Sequence, residues 1–120
     1  ALGCAQLERL PIILDAKREL FQRYKTAFMG MEGVSLMAEP AVSKSNYWLQ
    51  TLLLNEDQAT QRDEVLKTSN EAGLMTRPVW VLMNKLEPFK NCPQMDLTIA
   101  QSLSERLINI PSSSNLVALS

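Results

Sequence analysis

Hydrophobic positions in the first quarter of the chain recur every three or four residues, which is the spacing of an amphipathic helix. The pattern predicts one long helix over residues 1–29, ended by Gly30 and Gly33. Pro11 lies inside it, and we expect a kink or restart there, because proline removes a backbone hydrogen bond and clashes with the preceding turn. The hydrophobic stripe consists of Leu7, Leu10, Leu14, Lys17 (through its aliphatic stem), Phe21, Tyr24 and Phe28.

Shorter apolar runs separated by turn residues follow the helix. Residues 46–54 (NYWLQTLLL) predict the main strand, because they are rich in aromatic and aliphatic side chains and lack glycine and proline. Helical spacing returns over residues 96–106, where Asp96 is a suitable cap. The other predicted elements are strands over residues 33–38, 74–77 and 108–110 and a helix over residues 58–72. Residues 112–120 show no clear pattern.

This order of elements predicts an α+β fold in one domain spanning residues 1–120. We expect a small, mostly antiparallel sheet of three to four strands, with helices packed on one face and the long kinked N-terminal helix lying across it or bridging to a neighbour. The chain begins without an initiator methionine or a capping residue, as if already inside a helix. We therefore expect it to be part of something larger.

Amino-acid composition and net charge limit the kinds of molecule that this chain can bind. The 120 residues carry a net charge of −1, with 46% hydrophobic and 21% charged residues, which is typical of a globular domain. This balance lacks the positive field that nucleic acid or an anionic membrane requires, so we expect neither as a partner. No apolar run approaches the roughly 20 residues that span a bilayer, and no signal peptide is evident. These features predict a cytoplasmic location.

Several catalytic chemistries are excluded by residue type. The chain has no histidine, which removes Ser-His and Cys-His catalysis and histidine-based metal sites. Cys4 and Cys92 form no CxxC pair. A disulfide between them is formally possible, and the alternative is two reduced thiols in a cytosolic protein. No phosphate-binding glycine motif or nucleophile elbow occurs, so we predict neither a catalytic residue nor a metal ligand in this chain.

The segment Met75–Trp80 (MTRPVW) is one candidate ligand site. Pro78 holds the residue before it extended, and Arg77 in that position is suited to clamp a carboxylate or phosphate with its planar fork. Trp80 could stack on a ring. The alternative is a surface ion pair for Arg77 and a place in the core for Trp80.

A second candidate site is the segment Ser45–Trp48. Its polar groups beside two aromatic residues suit the rim of a ligand site. The alternative is an ordinary entry into a strand, with Tyr47 or Trp48 in the core.

Four stretches together resemble one family. They are ALGCAQLERL with its helix, SNYWLQTLLL, NEAGLMTRPVWVLMNKLEPFKNCP and SERLINIPSS, in that order. The chain resembles, over residues 1 to about 113, the C-terminal domain of the DegT/DnrJ/EryC1/StrS family of sugar aminotransferases. The branch it most resembles acts on nucleotide-linked keto-sugars for bacterial surface polysaccharide.

The resemblance implies a fold-type-I aminotransferase that depends on pyridoxal phosphate and forms homodimers. The family's N-terminal domain carries the cofactor and the lysine that holds it, and the C-terminal domain closes over the site. By resemblance, Arg77 faces that site and Asn46 and Trp48 lie near the sugar nucleotide; Trp80 completes the expected substrate-binding set. Asn84 stands where the similar branch usually has histidine, which weakens the claim to an intact substrate site.

This chain is therefore expected to begin where the cofactor domain ends and to contain no cofactor site. The primary interpretation is a detached C-terminal domain for substrate closure and dimerisation, inactive alone and forming a homodimer, with a nucleotide sugar as its ligand. Two alternatives remain open. One is an active enzyme completed by a separate N-terminal chain that carries pyridoxal phosphate, and the other is a repurposed ligand-binding or interaction module.

Overall fold

The computed structural model describes residues 2–119 and contains a four-stranded antiparallel sheet with helices before and between its strands. The strands lie in the order β1-β2-β4-β3. The predicted α+β class and its small antiparallel sheet are thereby confirmed. The helices are α1 (Leu2–Glu8), α2 (Leu10–Ala27), α3 (Arg62–Glu71) and α4 (Thr98–Arg106), and the strands are β1 (Val34–Leu36), β2 (Gln50–Leu54), β3 (Arg77–Pro78) and β4 (Leu107–Ile110).

The core lies on one face of the two central strands. Side chains alternate across a strand, and in β2 and β4 every second residue is buried. The cluster consists of Leu52, Leu54, Ile108 and Ile110. Tyr24 and Phe28 of α2 and Leu66 of α3 pack against it, so these two helices cover the same face of the sheet.

The N-terminal helix is interrupted, as predicted, although the break falls at Arg9, two residues before Pro11. Proline occupies the first turn of α2, where its missing N–H leaves no intrahelical bond unmade. The hydrophobic stripe is covered only in its second half: Phe21 is buried, whereas Leu7 is 66% exposed. The helix ends at Ala27 with Phe28 as its cap, and Gly30, with φ of 82°, lies two residues beyond that cap in the turn that follows.

Two predicted boundaries are wrong for physical reasons, and the tail forms an element that the sequence pattern did not indicate. Residues 46–49 turn and do not join β2. Tyr47 adopts φ of 46°, and the side chains of Ser45 and Asn46 accept hydrogen bonds from the main-chain N–H groups of Tyr47 and Trp48. Residues 74–76 do not pair in the sheet, because Thr76 is bonded to the end of α3. The tail, expected to be patternless, forms a 3₁₀ helix over Ser114–Leu119 that lies against α2. In residues 2–119, no helix is both long and apolar enough to cross a membrane.

Candidate functional site

A groove of about 700 Å³ opens at the edge of the sheet where β3 pairs with the end of β4. We call it the Trp groove and define it by Trp48, Trp80, Arg77, Asn109 and the segment 111–116. Lys17 lies at its base. The groove forms where three distant parts of the chain meet: the turn before β2, strand β3 and the residues after β4.

The two tryptophans form an exposed aromatic platform. Their rings stack with centroids 6.1 Å apart and planes 27° apart. Trp48 is 65% exposed and Trp80 is 69% exposed, so neither fills the core. They are the only two tryptophans in the chain. Large, flat apolar faces left open beside a groove are suited to a ring-containing ligand.

Arg77 contributes an available cation. It belongs to β3 opposite Asn109 in the register, it is exposed, and none of the residues described by the structure forms a hydrogen bond or ion pair with its guanidinium. The ion-pair alternative for Arg77 is therefore not observed. The Asn109 side chain on β4 accepts a hydrogen bond from the hydroxyl of Thr51 on β2 (2.9 Å), and this bond orients the Asn109 amide.

A part-buried polar network holds Thr76, the residue before Arg77. The Thr76 hydroxyl lies 2.6 Å from Ser69 Oγ and accepts a hydrogen bond from Asn70 Nδ2 (2.8 Å). Asn70 Nδ2 also donates to the Thr76 carbonyl (3.0 Å). Both partners lie in the last turns of α3, so this helix fixes where β3 begins.

The turn before β2 is built by short side-chain to main-chain bonds. Asn46 Oδ1 accepts a hydrogen bond from the Trp48 N–H (3.0 Å), and Ser45 Oγ accepts one from the Tyr47 N–H (3.0 Å). Tyr47 is buried and stacks on Phe21 at 4.3 Å. Asn46 therefore acts on the conformation that presents Trp48, and it does not line the Trp groove.

An ion pair ties the preceding loop to α2. Arg18 donates from Nη1 to Glu39 Oε1 (3.0 Å) and from Nη2 to Glu39 Oε2 (3.1 Å), and Glu39 also accepts the Ser45 N–H. The hydrogen bond from Arg18 is the largest cause that lowers the pKa of Glu39. The same bond raises the pKa of Arg18. The Arg18 guanidinium also lies 5.4 Å from the centre of the Tyr47 ring.

Lys17 is bound by main-chain oxygens. Its Nζ donates to the carbonyls of Ser112 (2.6 Å), Trp48 (3.2 Å) and Tyr47 (3.4 Å). Burial lowers its pKa. From the sequence, Lys17 was assigned to the hydrophobic stripe through its aliphatic stem alone. The presence of a lysine inside that stripe was the one sign that its ammonium group has a structural role. Asn109, between two isoleucines of a strand, and Ser112 were also missed.

Asn84 lies in a separate cavity of about 430 Å³ between residues 82 and 97. Its Nδ2 donates to Gln94 Oε1 (3.2 Å), while its buried Oδ1 has no partner among the described residues. Cys92 lines this cavity, and Cys4 lies in α1; both thiols are free and exposed. The formally possible disulfide is therefore absent.

The residues of the Trp groove do not fit pyridoxal phosphate. Lys17 is the one lysine among its lining residues, and three carbonyls already occupy its ammonium group. None of the described lining residues carries a carboxylate, so none of them can pair with a protonated pyridine nitrogen. Arg77 provides an anion contact but no cofactor attachment.

Comparisons with known proteins agree on one family. Residues 1–118 match the model of the DegT/DnrJ/EryC1/StrS aminotransferase family. GDP-perosamine synthase of Caulobacter vibrioides is 31% identical over 97% of this chain and 32% of its own length. EpsN of Bacillus subtilis, provisionally named a pyridoxal phosphate-dependent aminotransferase, is 31% identical over 96% of this chain and 30% of its own length.

Among solved structures, the fold is similar to that of Helicobacter pylori PseC, an aminotransferase involved in the biosynthesis of pseudoaminic acid. The TM-score is 0.87 at 18% identity, covering 96% of this chain and 31% of PseC. The chain thus spans about a third of the length of the curated relatives and of the solved structure that it matches.

Proposed function

The chain belongs to the DegT/DnrJ/EryC1/StrS aminotransferase family, and on that premise we propose that it is the C-terminal part of a nucleotide-sugar aminotransferase. Its role is to bind the nucleotide sugar and to close over the reaction site. The observation that carries this proposal is Arg77, exposed and without a described partner, beside the stacked pair Trp48–Trp80 in one groove.

The groove has the chemistry of an anionic ligand that contains rings. Arg77 offers two parallel N–H donors to a phosphate oxygen pair, and the lining residues include no carboxylate that would repel it. Trp48 and Trp80 offer apolar faces to a sugar or a base. Asn109 and Ser113 add an amide and a hydroxyl group along the lining, which suit sugar hydroxyls.

Amino transfer itself is assigned to the part of such an enzyme that holds pyridoxal phosphate, which supplies the electron sink for the reaction. Alone, this chain is expected to be inactive. The engaged ammonium of Lys17 supports this, because a lysine that attacks a carbonyl must be able to offer a free amine. A separate chain with the cofactor site would restore activity if the enzyme is assembled from two polypeptides.

A binding titration tests the ligand role. GDP-mannose and UDP-N-acetylglucosamine are titrated against the chain while tryptophan fluorescence is followed, because both tryptophans line the groove. We expect saturable quenching, and Arg77→Ala should weaken binding by about 10- to 100-fold, since a charge-assisted hydrogen bond contributes about 1.5–3 kcal/mol. Arg23→Ala, which removes the same charge from an exposed position outside the groove, serves as control.

Equal affinities of the two arginine variants would contradict the role of Arg77. Absence of quenching by either nucleotide sugar would contradict the ligand role of the groove. Quenching by an unrelated anion such as citrate, and by neither nucleotide sugar, would favour a repurposed binding module.

We also propose that the chain forms a homodimer through α1 and the start of α2. Leu2 is 78% exposed, Leu7 66% and Ile12 70%, so α1 and the start of α2 leave large apolar side chains uncovered. Light scattering at micromolar concentration should give twice the chain mass, and Ile12→Glu should give the monomer mass. Met29→Glu, at a position 78% exposed beyond the end of α2, should leave the dimer intact. A monomeric unmodified chain would overturn this proposal.

A further inference from the structure

We propose that Lys17 is a positioning residue of the Trp groove: its ammonium group holds the two walls of the groove at a fixed distance and does not contact the ligand. The inference rests on the proposed ligand role of the groove, and it assigns different roles to the two cationic side chains that line it. Arg77 faces the ligand, and Lys17 shapes the space that receives it.

The first argument is the hydrogen-bonding capacity of the ammonium group. Lysine has three N–H donors and no acceptor. All three face carbonyl oxygens, at 2.6 Å (Ser112), 3.2 Å (Trp48) and 3.4 Å (Tyr47). No donor remains for a phosphate without breaking one of these bonds. Arg77, in contrast, has no hydrogen-bond partner among the described residues.

The second argument is the location of these carbonyls. Trp48 belongs to the wall that precedes β2, with the buried Tyr47 directly before it in the chain, and Ser112 belongs to the wall that follows β4. They lie 30, 31 and 95 residues from Lys17 in sequence. One side chain therefore joins α2 to both walls. Because Trp48 stacks on Trp80, a displacement of the first wall also changes the aromatic platform.

The third argument is that Lys17 is itself oriented. Its carbonyl accepts a hydrogen bond from Gln50 Nε2 (3.2 Å), and the Gln50 N–H donates to Ser112 Oγ (2.7 Å). Two turns further along α2, the Tyr24 hydroxyl donates to the Pro111 carbonyl (2.9 Å). Tyr47, whose carbonyl Lys17 also binds, has φ of 46°, a conformation that an aromatic residue adopts only where its surroundings impose it.

The test uses the ligand-free chain, in which the near-UV circular dichroism of tryptophan reports on Trp48 and Trp80 alone. We expect Lys17→Met, which keeps the aliphatic stem, to reduce this signal by about half or more, because the coupled rings lose their fixed geometry. Lys17→Arg should not restore it, since a planar fork cannot direct three donors to three converging carbonyls. Far-UV dichroism should stay unchanged, and Lys25→Met, an exposed position on the same helix, is the control.

Binding then separates the positioning role from direct contact. We expect Lys17→Met to weaken nucleotide-sugar binding about tenfold while the dependence of affinity on salt stays as in the unmodified chain. Restored affinity in Lys17→Arg together with a reduced salt dependence in Lys17→Met would mean that Lys17 contacts the phosphate, and would overturn the proposal. A folded Lys17→Met with an unchanged tryptophan signal would overturn it as well.

A measurement on the unmodified chain decides the case in which Lys17→Met does not fold. Reductive methylation followed by mass spectrometry compares the six lysines of the sequence. We expect Lys17 to react most slowly, because its nitrogen is held by carbonyls; reaction as fast as that of Lys25 would refute its engagement.

If neither nucleotide sugar binds while the tryptophan signal depends on Lys17, the ligand role fails and the positioning of the walls stands.

Discussion

Replacing Thr76 with valine tests whether the end of α3 holds Arg77 in the groove. Thr76 is 7% exposed, and its hydroxyl is shared between Ser69 Oγ (2.6 Å) and Asn70 Nδ2 (2.8 Å). Valine has nearly the same shape as threonine and lacks only the hydroxyl. The substitution therefore removes two hydrogen bonds without opening a cavity.

The expected loss follows from those two bonds. Each buried neutral hydrogen bond contributes about 1 kcal/mol net, so Thr76→Val should lower the free energy of unfolding by about 2 kcal/mol. The partners are not left without acceptors, which keeps the loss near that sum: Ser69 still donates to the Val65 carbonyl (2.7 Å), and Asn70 still donates to the Leu66 carbonyl (2.7 Å). For a chain of this size, the Tm should fall by about 8 °C.

Urea denaturation followed by far-UV circular dichroism measures this loss. Thr68→Val, the same substitution at an exposed position of α3, should change the free energy of unfolding by less than about 0.5 kcal/mol. Thr76→Ser keeps the hydroxyl and should lose only about 1 kcal/mol for the missing methyl group. If Thr76→Val proved as stable as the Thr68→Val control, or more stable than Thr76→Ser, the part-buried network would not hold the start of β3.

Three further predictions concern the core and the turns. Ile108→Ala, at a fully buried position, should cost about 3 kcal/mol in denaturation experiments, whereas Ile99→Ala, at a position 75% exposed, should cost under about 0.5. The hydrogen bond from Arg18 is the largest cause that holds the pKa of Glu39 below its ordinary 4.5. The ionised Glu39 carboxylate therefore stabilises the folded chain above pH 4.5, and this stabilisation is lost as the pH falls through the lowered pKa. Stability measured against pH should therefore decline less in Glu39→Gln than in the unmodified chain. Gly33→Ala should lower the Tm, since φ is 80° and a Cβ would lie 3.2 Å from a neighbouring side chain; an unchanged Tm would refute this reasoning.

The sequence predicted what depends on local periodicity. The alternating apolar residues of β2 and the three-to-four spacing of α2 identified the central elements, because burial of one face sets both patterns. Residues 46–49 were misassigned to a strand, although they are as aromatic and apolar as β2. Their conformation depends on Lys17, which donates to the Tyr47 carbonyl 30 residues away, and on Glu39, which accepts the N–H of Ser45 six residues away. Local composition carries no information about such contacts.

The same limit applies to the site. Arg77, Trp48 and Trp80 were selected as ligand-binding candidates from short motifs and a resemblance, and the fold brings these three into one groove. That they bind a nucleotide sugar stays a prediction. Asn46 was selected for the same role, yet its Oδ1 accepts the Trp48 N–H and the residue lines a different cavity, between α1, α2 and residues 44–46. Motif reading identifies which residues are unusual, and packing decides whether each one contacts a ligand or supports a neighbour that does.

Exposure of the two tryptophans supports the groove as a site that is covered in function. A tryptophan side chain is among the most favourable to bury, and only seven apolar side chains are buried among the residues whose side chains the structure describes, so burial of both tryptophans would enlarge the core substantially. Instead both lie open and stacked, and two polar side chains near them hold that arrangement: Lys17 binds the Trp48 carbonyl, and the buried Thr76 holds the residues that lead to Trp80. We therefore expect a further surface or a ligand to cover this apolar area, and the uncommitted cation of Arg77 favours one that is negatively charged.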